Sequence, residues 1–256
     1  MRVIVTRPRR EAQDWVQALR QAGYDAQALP LISIAAAPDA SLVQQAWHQL
    51  DGCLGLMFVS ANAVDGFFAA RPPNAPLPVQ AWATGPGTVS ALRRAGVPAS
   101  HITAPPADAP QFDSEALWRL VARRIVPGGR VLIVRGADAA EVSTQGAGRD
   151  WFAHQVGAAG GRVDFVVSYQ RQRPQLDPSQ LQLARDAASD GSVWLFSSSE
   201  AVQNLQSILP QQDWHAARAV ATHARIAQAA RAAGFAVVHE SRPALVDVRA
   251  SIESLQ

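Results

Sequence analysis

The apolar positions of this chain fall into short unbroken runs separated by stretches of helical spacing. VIVT (3–6), GLMFV (55–59), RVLIVR (130–135), VDFVVSY (163–169), SVWLF (192–196), ARAVAT (217–222) and FAVVH (235–239) read as buried strands, too short for helices and too continuous for half-exposed ones. AQALPLISI (26–34), VQAWAT (79–84) and ASHITA (99–104) are read as further strands. Between the runs, apolar residues recur at helical spacing: Ala12, Trp15, Val16, Leu19 and Ala22 up to Gly23; Val64, Phe67 and Phe68; Leu117, Leu120 and Val121; Val202, Leu205 and Leu209. Helices are also expected over 41–49, 114–125 and 179–188, and leading up to Gly96, Gly160 and Gly234. Strands and helices therefore alternate, which predicts an α/β fold of parallel sheets flanked by helices.

One stretch of this pattern occurs twice. FVSANAV (58–64) and FSSSEAV (196–202) each follow an apolar run and lead into a helix, so each is a strand, a small-polar turn and a helix start. A serine there caps the helix, and the free N–H groups of its first turn face any nearby anion. At the same offset TGPGTVSALRRAG (84–96) recurs as THARIAQAARAAG (222–234), with Gly96 and Gly234 in register. VIVTRP (3–8) is echoed by VLIVRG (131–136), and Asp14–Trp15 by Asp150–Trp151. Two copies of one domain are written into one chain.

Composition narrows the chemistry. All 23 basic residues are Arg, the chain contains no Lys, and the formal net charge is +2. That excludes Schiff-base and pyridoxal phosphate chemistry on Lys and the lysine of nucleotide-binding phosphate loops, leaving Arg as an anion clamp. The charges are scattered and the longest basic run is RPRR (7–10), so no nucleic-acid footprint is expected. The single Cys53 excludes an internal disulfide and a thiolate metal cluster, and His48, His101, His154, His215 and His239 are too dispersed for a metal site. Neither a signal peptide nor a membrane span is visible, and a cytoplasmic address is the expectation.

In open parallel sheets ligands bind beyond the carboxyl ends of the strands, where the winding reverses. If each sheet is wound like flavodoxin, that places Arg7 and Ser198 in one and Arg135 and Ser60 in the other. Two such domains facing each other would line a cleft with hydroxyls, an Asn, arginines and free N–H groups, which suits a polyanion. GPG at 85–87 is too short to mean dinucleotide binding.

VTRP, FVSANAV, TGPGTVSALRRAG, VLIVRG, GRD before a helix, VSYQR and FSSSEAV, in this order, resemble the uroporphyrinogen-III synthase family. The resemblance spans essentially the whole chain. It implies two flavodoxin-like domains joined by a two-stranded crossover, with the active site in the cleft between them. Residues 1–35 and 173–256 would form one domain and 36–172 the other. It also implies a cyclising hydro-lyase that closes hydroxymethylbilane, a linear tetrapyrrole polycarboxylate, with its last ring inverted and water lost. No cofactor and no metal are implied, and a monomer is expected.

The resemblance assigns residues one by one. Tyr169 of VSYQR matches a tyrosine favoured as the acid that helps the hydroxyl depart, and Thr88 of TGPGT matches a threonine near the substrate. Ser60, Asn62, Ser197, Ser198 and Ser199 are expected to offer donors to carboxylates. Arg7, Arg135 and Arg149 are candidate carboxylate clamps, with a structural ion pair as the competing role for each. Where the family has a second GPxT this chain has THARI, so Ile226 stands in place of a hydroxyl and His223 and Arg225 are the nearby polar substitutes. The stretch 137–148 is longer than usual and is read as a loop over the site. Two competing readings are a non-catalytic two-domain binding protein and a nucleotide-sugar transferase. The first lacks a signal peptide or a helix-turn-helix, and the second an acidic metal-binding pair.

Overall fold

The computed structural model of the protein describes residues 1–73, 75–106, 108–109, 111–138 and 150–255. In chain order it begins with β1 (Arg2–Val5), α1 (Arg9–Gln21), β2 (Asp25–Ala28), β3 (Ser33–Ala36), α2 (Ala40–His48), β4 (Cys53–Phe58) and α3 (Ala61–Ala69). β5 (Ala81–Ala83), α4 (Pro86–Arg94), β6 (Ile102–Thr103), α5 (Ser114–Val121), β7 (Arg130–Asp138), α6 (Asp150–Ala158) and β8 (Arg162–Gln172) follow. The chain continues through α7 (Pro178–Asp186), β9 (Val193–Phe196), α8 (Ser199–Ile208), β10 (Arg218–Ala221), α9 (Ala224–Ala232), β11 (Val237–Glu240) and α10 (Leu245–Glu253). It divides into two compact units, Met1–Ser33 with Gln172–Gln256, and Ile34–Arg171.

The first unit holds a sheet in the order β11-β10-β9-β1-β2 whose neighbours all pair parallel. Counted from β1 this is the 2-1-3-4-5 winding of flavodoxin, with its switch point between β1 and β9. Alternation along the strands sorts the core into two layers. Val3 and Val5 of β1 and Val193 and Leu195 of β9 pack with Ala12, Val16 and Leu19 of α1 and Val248 and Ile252 of α10. The intervening Trp194 and Phe196 build an aromatic layer with Trp214 and Phe235, in which Trp214 and Phe235 stack at 5.4 Å.

The second unit holds a sheet in the order β3-β8-β7-β4-β5-β6. Its parallel pairs β7–β8, β4–β7, β4–β5 and β5–β6 repeat the same winding if β7 is counted first, with the switch point between β7 and β4 and β3 added outside β8. Phe58, Phe67 and Trp82 are fully buried here, and Trp47 stacks on Phe67 at 4.6 Å. Gly55 is required beneath Trp82: a Cβ there would lie 2.2 Å from the indole ring.

Four expectations are corrected. The single strand expected over 26–34 is two, β2 and β3, in different sheets. The N–H groups of Leu29 and Leu31 still reach Val5 and Thr6 at 2.9 and 3.1 Å, but Pro30 between them has no N–H to give, and the chain then leaves for the other sheet. The helix expected over 114–125 is regular only to Val121 and tightens into a short 3-10 turn over Ala122–Arg124. β7 and β8 are longer than read, taking in Gly136–Asp138 and Gln170–Gln172, so the loop reading of 137–148 fails at its first two residues and otherwise lies outside the described residues. The helix α10 was not anticipated; its signal is the i, i+4 pair Val248 and Ile252, set among Asp247, Arg249 and Ser251. Gly96 and Gly234, matched by the repeat, both end helices with positive φ, 85° and 104°.

Candidate active site

In each unit the parallel strands bring their carboxyl ends to one edge, and at the switch point a serine opens a helix. Ser60 caps α3, its Oγ accepting the N–H of Ala63 at 3.2 Å, and Ser198 caps α8, its Oγ accepting the N–H of Glu200 at 3.2 Å. The repeated serine thus occupies the same place twice. The remaining N–H groups of the first turn leave a partial positive charge at each helix start.

The second unit assembles more than a cap. The hydroxyl of Tyr169, on β8, lies 3.2 Å from Ser60 Oγ at the end of β4. The Tyr169 side chain is 6% exposed and its ring lies against Gly136 of β7, where a Cβ would come 2.3 Å from Cζ. Asn62 is the second residue of α3, and Thr88, 6% exposed, is the third residue of α4 beyond β5. Ser60 and Asn62 therefore stand just beyond β4 and Thr88 beyond β5, while Tyr169 reaches Ser60 from within β8, with β7 and its Gly136 between those two strands.

Arg135 does not join them. In the register of β7 with β8 it pairs with Val167 and turns to the face opposite Gly136, where its guanidinium lies 4.7 Å over Phe165 and the residue is 5% exposed. Arg149 lies outside the described residues. In the first unit, Arg7 lies two residues beyond β1, and its guanidinium is largely buried, 3.3 Å from Glu11 and 4.3 Å over the ring of Trp15. Burial pulls its pKa down and the Glu11 carboxylate pulls it back up, so Arg7 is a cation already held on α1. Ser197 follows β9, and Ser199 opens α8 with its Oγ buried and without a hydrogen-bond partner among the described residues.

His223 caps α9, its Nδ1 accepting the N–H of Arg225 at 3.1 Å. In the neutral ring Nε2 then carries the hydrogen and points onward as a donor. Arg225 is exposed beside it. Ile226 is the third residue of α9 as Thr88 is of α4, and each is 6% exposed, so an apolar side chain fills in one unit the place a hydroxyl takes in the other.

Cys53, the one thiol, starts β4 at the opposite end from Ser60. Burial pushes its pKa up, so the thiolate is scarce at neutral pH. Iodoacetamide should modify it slowly at pH 7 and faster only as the pH rises beyond the range of a free cysteine; labelling at pH 7 as fast as free cysteine would contradict this. Among the described residues no group of three His, Cys, Asp or Glu is placed to hold a metal ion, and no helix is long and apolar enough to cross a membrane.

Sequence reasoning missed Gly136, Ser168 and Gly66, whose roles are close approach. A Cβ at Gly66 of α3 would lie 2.1 Å from the carbonyl oxygen of Ser168, and Ser168 Oγ donates to the carbonyl of Ala63 at 3.0 Å. The available signal was a glycine inside α3 and a serine between the apolar run Phe165–Val167 and Tyr169.

Solved structures resemble the chain along its whole length. The uroporphyrinogen-III synthetase of Helicobacter pylori aligns over 100% of both chains at 19% identity with a TM-score of 0.58. A selenomethionine variant of the Thermus thermophilus uroporphyrinogen III synthase aligns over 100% of this chain and 98% of that one, at 16% identity and a TM-score of 0.54. At such identities the likeness establishes the fold. The family model described as uroporphyrinogen-III synthase HemD matches residues 13–247, nearly the whole chain and both serine caps, Ser60 and Ser198, and the chain belongs to the uroporphyrinogen-III synthase family.

Proposed function

We propose that this chain closes hydroxymethylbilane to uroporphyrinogen III, inverting the last ring and expelling the terminal hydroxyl as water, and is thus a hydro-lyase. The family match supports the substrate and the reaction. The observation that carries the site is the Tyr169 hydroxyl, 3.2 Å from the serine that caps α3. Departure of the substrate hydroxyl requires a proton and leaves an electrophilic azafulvene, which the last ring attacks to give a spiro intermediate before it is turned and rejoined. Tyr169 supplies the proton as general acid. Ser60, which already accepts from Ala63, orients that hydroxyl.

The substrate's carboxylates need donors rather than a nucleophile. Asn62, Thr88 and the positive N-terminal end of α3 provide them in the second unit. In the first unit Ser197, Ser198, Ser199, His223 and Arg225 stand at equivalent strand tips and are assigned the same work. Arg7 adds positive potential from where Glu11 of α1 holds its guanidinium. The chain's task is to hold a flexible polyanion so that spiro closure is nearer than direct closure, which is positioning and charge stabilisation.

The test is to mix the protein with freshly made hydroxymethylbilane, oxidise the products and separate the porphyrin isomers. Predominant type III product is expected. Type I product at the uncatalysed rate would remove the assignment, and saturable binding without turnover would favour a binding protein.

A further inference from the structure

Strand β8 contains one residue more than its partner where it passes the tip of β7. Arg135 pairs with Val167, yet the next residue of β7, Gly136, pairs with Tyr169, so Ser168 is the extra residue of a β-bulge. The bulge decides which way Tyr169 faces. Side chains alternate along a strand and paired residues share a face, so in a regular ladder, with Ser168 paired to Gly136, Tyr169 would share the face of Val167 and Phe165, on which Arg135 lies. With it, Tyr169 pairs with Gly136 and turns toward Ser60 at the head of α3. Burial shows the break in period: Ser168 and Tyr169 are consecutive and both buried, 1% and 6% exposed.

Two contacts hold the bulge against α3, and a third seats the ring on β7. Ser168 Oγ donates to the carbonyl of Ala63 at 3.0 Å. Gly66 lets α3 settle onto the Ser168 carbonyl, where any Cβ would be 2.1 Å away. Gly136 leaves the space that the phenol ring fills. We infer that the bulge at Ser168 is a positioning device for the Tyr169 hydroxyl, and that Gly136 and Ser168 are positioning residues of the reaction. The inference rests on Tyr169 acting as proposed above. Neither residue touches the substrate; each acts through where the phenol stands.

A double-mutant cycle tests it. In Gly136→Ala the ring must retreat by about 1 Å to restore ordinary contact, and a misplacement of that size costs on the order of 100-fold in turnover. The expected result is a kcat lowered by about 100-fold with KM changed little, and the same substitution made in Tyr169→Phe lowering kcat by less than about twofold, because no hydroxyl remains to misplace. Gly157→Ala, on α6 with nothing within 4 Å of the added methyl, is the control and should be neutral. If Gly136→Ala fails to fold, Ser168→Ala, which removes only the tether to Ala63, is taken through the same cycle with an expected loss of about tenfold that again vanishes beside Tyr169→Phe. Wild-type kcat in the variant that folds, or an equal loss in both backgrounds, overturns the inference alone. Full turnover by Tyr169→Phe overturns the inference together with the reading beneath it.

Discussion

Tyr169→Phe should turn hydroxymethylbilane over at about one hundredth of the unmodified rate or less, with its fold intact. The change removes one oxygen from a ring that is 6% exposed and otherwise packed against Gly136, so the shape of the site is kept. The hydrogen bond to Ser60 is lost at a cost of about 1 kcal/mol of stability, and Ser60 keeps its bond from Ala63. A positioned general acid is worth roughly 10²–10⁴ in rate, which sets the scale of the loss. Since hydroxymethylbilane left alone closes without inversion, the type I share of the product should rise as the catalysed route slows. Single-turnover kinetics with isomer analysis reads both effects, and full turnover would reduce Tyr169 to a packing residue.

Phe67→Ala is the largest expected loss of stability, about 3–5 kcal/mol. Phe67 is fully buried, stacks on Trp47 at 4.6 Å and meets Phe58 and Phe68 edge-on at 5.7 and 6.2 Å. Its backbone carbonyl also accepts the indole N–H of Trp47 at 2.8 Å, a bond that survives the substitution. The cost is therefore that of the cavity and the lost ring contacts, with no polar group orphaned. Because Phe67 seats the helix whose first residue follows Ser60, kcat should fall as well. Denaturant unfolding followed by tryptophan fluorescence measures the effect, with the midpoint shifted and the slope unchanged; a change below about 1 kcal/mol would show that the site collapses around the missing ring.

The repeated FxSxxAV turn was legible because it is local: a buried run, a small-polar turn and an amphipathic start put Ser60 and Ser198 at helix caps whatever else the chain does. The α/β class was legible for the same reason, since strands and helices alternate throughout, while the flavodoxin winding came with the family resemblance. The resemblance supplied Tyr169, but no pattern in VDFVVSYQR tells which face it takes, because one inserted residue reverses every side chain after it. The bulge exists only in the pairing of β8 with β7, a contact between distant segments. Arg135 is the counterpart: the reading put it at the strand tip, but β7 runs on to Asp138, and the pleat sets the Arg135 guanidinium over Phe165. The division of 26–34 into two strands of different sheets, and the helix α10, likewise depend on partners far away in sequence. Ile226 was noticed as a departure from the family pattern, and its position matched to Thr88 shows that the backbone is kept where the hydroxyl is not.

The claim at the centre is that the reacting tetrapyrrole meets the protein at the Tyr169 hydroxyl. The chain has two tyrosines, Tyr24 and Tyr169, so ¹³Cζ-tyrosine labelling gives two resonances, and a Tyr24→Phe variant assigns them. Titration with uroporphyrinogen III under reducing conditions should move or broaden the Tyr169 signal as the site fills and leave Tyr24, which donates to Glu253, in place. A Tyr169 signal unmoved at saturation, in a preparation that makes the type III isomer, would put the chemistry elsewhere.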